Sequence, residues 1–165
     1  MQFQLLDEIV SFVPGKELRG RKRLTLAEEY LADHFPGFPI MPGVLQLHCL
    51  IEAGSWLLRL TDDFRYSVIA LREVKIVKYG ALMQPGKTLD VAVELSSRSD
   101  ATAVLQGVGE TGGVQTVNAK FTLHCRNLVE RDLAFAGRDA QLVKHLRDVY
   151  VLLSGAMRPA ASVGH

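Results

Sequence analysis

Residues 43–60 are apolar around most of a helical circumference. Val44, Leu45, Leu47, Leu50, Ile51, Trp56, Leu57, Leu58 and Leu60 leave only a narrow polar gap. A helix apolar nearly all round is a buried one. Pro42 suits its first turn, where a missing N–H costs nothing. Elsewhere the pattern has the period of two that marks strands. Leu89, Val91, Val93 and Leu95 alternate with Asp90, Ala92 and Glu94. Over 114–125, Val117, Ala119, Phe121, Leu123 and Cys125 share one face, opposite Asn118, Lys120, Thr122 and His124. Residues 67–79 form a long run rich in Val and Ile, and 101–109 a weaker one. Gly112-Gly113 predicts a hairpin turn between the last two strands. Upstream, MQFQLLDEIVSFVPGKELRGRKRLTL reads as two strands joined at Pro14-Gly15. The stretch AEEYLADH predicts a turn or short helix with Thr25 as its N-cap. Leu142, Val143, Leu146, Val149, Tyr150 and Leu153 repeat at helical spacing, and the end, SGAMRPAASVGH, reads as frayed.

The order is two strands, a buried helix, four strands and a terminal helix. Antiparallel meanders wrapped around one helix satisfy it without crossover connections. The expected class is α+β, with the shape of a hot-dog fold. Residues 1–127 form the domain, and 128–165 a helical extension packed on it that covers a sheet edge, since exposed edges are a liability.

Composition narrows the function. A chain of 165 residues supports one domain with its own core. A net charge of +1, without a basic stripe, argues against nucleic-acid binding, which needs many phosphate-neutralising cations. No run reaches the roughly 20 apolar residues of a membrane span. Asp7 and Glu8 interrupt the first apolar stretch, which is not the pattern of a signal peptide. Cys49 and Cys125 lack metal-site spacing. A reduced cytoplasmic protein without a metal is expected.

The polar gap in the apolar helix holds the candidate chemistry. His48, Glu52, Ser55 and Arg59 fall on one face, beginning about one turn after the helix start. Such a stripe is either a solvated face or a site of ionisable groups in a partly dry place. The first helical N–H groups, near Gly43 and Val44, have no partners within the helix and can donate to a developing oxyanion. Gly43 has no side chain to block a ligand. His34 sits just upstream in a loop stiffened by Pro36, Gly37, Pro39 and Pro42. An imidazole, an oxyanion donor and a second acid–base group suit proton abstraction beside a carbonyl. Asp33 reads as a solvated loop carboxylate; Ser55 and Arg59 lie further down the stripe, Arg59 near solvent. Cys49 reads as packing. His124, His145 and His165 need no function. Phe35, Phe38, Ile40 and Met41 either shape an acyl tunnel or pack in the core.

The stretch HFPGFPIMPGVL, residues 34–45, resembles the signature of the beta-hydroxyacyl-ACP dehydratases of fatty-acid synthesis, the FabZ and FabA type. LLDEIV and REVKIVKYGALMQPGKTLDVAVEL are similar to that family's first core strand and its strand–turn–strand unit. The resemblance implies a hot-dog fold assembled as a homodimer, in places a higher oligomer. It implies a site at the dimer interface, with the loop histidine from one subunit and the helix acid from the other. The implied substrate is a 3-hydroxyacyl phosphopantetheine thioester of acyl carrier protein, dehydrated to a trans-2-enoyl thioester without metal or organic cofactor. It further implies that His34 takes the C2 proton while the Gly43 N–H polarises the thioester carbonyl.

The chain departs from the family at the acid. His48 stands where the family has a carboxylate, and Glu52 where it has a glutamine. Three consequences are open. His48, charged by Glu52, protonates the leaving hydroxyl. Alternatively, Glu52 reaches the substrate itself. In the third case the site binds acyl thioesters without dehydrating them. The functional alternatives are accordingly a non-catalytic acyl-thioester binding module and, on the same fold, a thioesterase.

Overall fold

The computed structural model describes residues 4–35 and 37–155. Pro36 of the signature loop, and residues 156–165 with the expected frayed end and His165, lie outside them. Among the described residues, six strands form one antiparallel sheet: β1 (Glu8–Val13), β2 (Glu17–Arg23), β3 (Val68–Tyr79), β4 (Thr88–Ser99), β5 (Thr102–Thr111) and β6 (Val114–Arg126). Their order in space is β1-β2-β4-β5-β6-β3. Between β2 and β3 come a single helical turn, α1 (Tyr30–Asp33), and the long helix α2 (Gly43–Thr61). After β6, two 3-10 turns lead to α3 (Ala136–Leu153).

The strand alternation is realised in the sheet. Val117, Ala119, Phe121, Leu123 and Cys125 of β6 are all buried against α2. Registers Leu18↔Val93, Leu95↔Leu105 and Leu105↔Phe121 carry the same layer across β2, β4, β5 and β6. Fully burying each large side chain contributes roughly 1.5–3 kcal/mol, so this layer and α2 make up the core. Gly54 lets α2 approach the sheet: a Cβ there would lie 3.0 Å from Leu105 and 3.2 Å from Phe121. The β5–β6 hairpin turns through Gly112 and Gly113, at φ +57° and +78°, values that cost an L side chain strain.

Thr25 does not cap α1. The helix begins at Tyr30, and Glu29 occupies the N-cap position without a side-chain cap bond. Buried Lys22 donates to Glu28 at 2.6 Å, which ties the residues before the helix down to β2.

The tail helix packs on the domain and reaches the edge strand β1. Leu146, Val149 and Leu153 are buried in the same core cluster as α2. Tyr150 lies 6.3 Å from both Trp56 and Phe64. Asp139 ties α3 down by accepting from Ser67 Oγ and from the backbone N–H of Leu128 and Val129. The edge strand β3 stays largely open, with Leu71, Ile76 and Tyr79 between 43% and 51% exposed. Its register places Leu71 and Tyr79 on the helix-facing side, opposite Leu123 and Val117.

Candidate active site

Among the described residues, two clefts lie between α2 and β3, one at each end of the edge strand. The first, about 380 Å³, holds His34 and Gly43 with Ile40, Met41, Val44 and Tyr79. Its loop is fixed at both ends. Phe35 takes a left-handed φ of +53° and its carbonyl accepts from the Phe38 N–H at 2.8 Å, while Met41 N–H donates to the Met83 carbonyl at 2.8 Å. His34 stands edge-on to Phe35, ring centroids 4.6 Å apart. Ile40 and Met41 are buried; Phe35 and Phe38 are half exposed.

The helix start opens into this cleft. Leu45 and Gln46 donate to the Pro42 carbonyl, at 3.0 and 3.2 Å, so the Gly43 and Val44 N–H groups precede the first helical bond. Gly43 also serves packing, because a Cβ there would stand 2.9 Å from the Tyr79 ring. Tyr79 and Gln46 were not anticipated from the sequence. Gln46 is buried, its amide donates to the Met41 carbonyl at 3.3 Å, and its Oε1 is enclosed without a partner. A polar residue in the first turn of an apolar helix was the available signal.

The second cleft, about 360 Å³, runs along the polar stripe. It holds His48, Glu52 and Arg59, with Ile69 and Leu71 of β3 and Leu146 of α3. Glu52 Oε2 accepts the N–H of Leu5 at 2.8 Å and of Leu6 at 3.1 Å, and its Oε1 is enclosed without a hydrogen bond. Burial pushes the Glu52 carboxyl above its ordinary value, against those two N–H groups and the charge of His48. Ser55 is buried and donates to the Ile51 carbonyl at 2.9 Å.

Arg59 corrects the expectation of a solvent position. It is half-buried, folds back over Trp56 with its guanidinium carbon 5.6 Å from the ring, and encloses an unpartnered Nε. Burial draws its guanidinium down to about 10. Cys49 and Cys125 are buried free thiols, and Asp33 is exposed. Among the described residues, no three His, Cys, Asp or Glu side chains group as metal ligands.

A family model, that of the ApeI-like dehydratases, matches residues 12–112. The chain belongs to the ApeI-like dehydratase family. It is 30% identical to the 3-hydroxyacyl-[acyl-carrier-protein] dehydratase FabZ of Latilactobacillus sakei, over 72% of this chain and 84% of that one. The FabZ of Clostridium acetobutylicum matches at the same identity and coverage. Among solved structures, the dehydratase heterocomplex ApeI:P from Xenorhabdus doucetiae superposes with a TM-score of 0.58 at 19% identity, covering 75% of this chain and all of that one. A Streptococcus mutans protein bound to acetyl CoA superposes with a TM-score of 0.54 at 15% identity, over 76% of this chain and 91% of that one. The fold of this ApeI-like dehydratase is the hot dog. The family places it with the hydro-lyases, ahead of the binding module and the thioesterase.

Proposed function

We propose that this ApeI-like dehydratase removes water from a 3-hydroxyacyl thioester carried by acyl carrier protein, in the cytoplasm, as a homodimer with shared sites. The observation that carries the reading is the meeting of His34 with the Gly43 helix start in one cleft. The Gly43 N–H polarises the thioester carbonyl and makes the C2 proton acidic. His34 takes that proton. The electron pair of the C2–H bond forms the C2=C3 bond, and the C3–O bond breaks with a proton supplied to the leaving hydroxyl.

His48 is the proton donor in this reading. Glu52 has one oxygen committed to Leu5 and Leu6, which suits it to holding the helix and its neighbour in place rather than reaching substrate. The two clefts sit at opposite ends of β3, at Tyr79 and at Ile69–Leu71. A two-fold axis at the middle of this open edge exchanges the ends, so one subunit's His34 meets its partner's His48. A buried apolar wall beside His34, from Ile40 and Met41, suits the first carbons of an acyl chain.

Hydration of a trans-2-enoyl thioester of acyl carrier protein, followed by loss of the enoyl absorbance, tests the reading. Turnover is expected, and a fall of about 10²–10⁴-fold in His34→Ala. Thioester binding without turnover would instead make the chain a binding module. Because the Xenorhabdus neighbour is a heterocomplex, sedimentation of the purified chain belongs beside the assay. A monomer inactive alone would point to a second, different subunit.

A further inference from the structure

Arg59 lies at the far end of the polar stripe, and nothing in the elimination uses it. Its Nε is enclosed without a partner, and among the described residues no carboxylate stands within ion-pair distance of it. Its guanidinium folds back over Trp56, toward the start of α2 and into the cleft. Ile51, Ile69, Leu71 and Leu146 make the intervening walls apolar.

This architecture does not suit a plain alkyl chain. An alkyl chain filling the cleft would strip water from the cation and leave nothing in return, a costly state for a buried charge. A carboxylate at the chain end would supply both the acceptors and the opposite charge, and guanidinium matches carboxylate in two parallel hydrogen bonds. Glu52 does not fill this role: it is held by Leu5 and Leu6 and lies seven residues upstream, about 10 Å along the helix.

We propose that Arg59, backed by Trp56, is a subsite for a carboxylate at the distal end of the acyl chain, so that the preferred substrates are acyl thioesters with a terminal carboxylate. The proposal rests on the dehydratase reading, in which C3 of the substrate lies beside His48. From His48 to the level of Trp56 is eight residues, about 12 Å. An extended chain advances roughly 3.5 Å per three bonds, so the carboxylate sits about ten bonds beyond C3.

The test compares two pantetheine thioesters of equal length, a trans-2-enoyl chain ending in carboxylate and one ending in methyl. Two readouts are used: hydration rate and fluorescence titration. Trp56 is the single tryptophan of the chain and lies in the cleft, so its emission reports occupancy without requiring turnover. Wild-type protein is expected to prefer the carboxylated chain in both readouts, and Arg59→Met to lower that preference by roughly 30-fold or more. Arg59→Lys, which keeps the charge but not the fork, is expected to retain part of it. Equal or better use of the methyl-ended chain by wild type would overturn the subsite, and so would a preference that survives Arg59→Met. If neither thioester turns over but the titration keeps the preference, the dehydratase reading fails and the subsite stands.

Discussion

Glu52 Oε2 accepts the backbone N–H of Leu5 at 2.8 Å, joining the middle of the buried helix to a residue 47 positions earlier. The same oxygen takes the Leu6 N–H at 3.1 Å. One carboxylate thus anchors the approach to β1 and fixes the helix turn that follows His48. Glu52→Ala leaves two N–H groups without their acceptor and is expected to lower unfolding free energy by about 2–4 kcal/mol. Glu52→Gln keeps an acceptor oxygen and is expected to lose about 1 kcal/mol. Urea denaturation of both variants measures the difference. Equal losses would mean that the anchor does not depend on the acceptor.

The pH dependence of stability has a sign at Glu52. Burial raises its folded-state pKa above the unfolded value, so the folded state binds its proton more tightly. Its contribution is most favourable below the unfolded value, near pH 4.3, and declines as pH rises through the raised folded value. Asp139 runs the other way. Burial opposes ionisation there, but bonds from Ser67, Leu128 and Val129 outweigh it and lower the pKa, so its contribution is lost as pH falls. Denaturation across pH should show the wild-type advantage over Glu52→Gln shrinking as pH rises. The advantage over Asp139→Asn should shrink as pH falls. A Glu52→Gln difference that grows with pH would reverse the assignment of burial as the dominant effect.

Gly43 and Tyr79 are matched surfaces. With only 2.9 Å available to a new Cβ, Gly43→Ala must displace the Tyr79 ring, at a cost of about 1–3 kcal/mol. Adding Tyr79→Ala should recover a large part of that cost. Thermal melts of both single variants and the double variant measure the coupling, and simple additivity would remove Tyr79 as the cause.

The proposed sharing of the site between subunits predicts complementation. His34→Ala and His48→Ala homodimers are each expected to be inactive, because every site lacks one group. Random heterodimers restore one whole site of two, so co-expression should return about a quarter of wild-type hydration. A co-expressed mixture no more active than either parent would place both histidines in the same subunit's site.

Local periodicity carried much of this structure. Period-two alternation at 117–125 marked the buried face of β6, and the apolar circumference of 43–60 marked α2, because these patterns follow from backbone geometry within one element. Gly112-Gly113 worked for the same local reason. Thr25 failed because the helical turn begins only at Tyr30, too far along the chain for its side chain to cap.

By itself the sequence determined the strands, the buried helix, its polar stripe and the loop that brings His34 to the helix start. It could not say what faces that stripe. Arg59 shares a helix face with His48, but the cleft it lines takes its other walls from β3 and α3, elsewhere in the chain. Glu52 finds its partners at Leu5 and Leu6. A repeat fixes which side of an element a residue occupies. Only tertiary packing decides whether that side meets water, backbone or a cleft, and so whether a charge is solvated, satisfied or left open to a ligand.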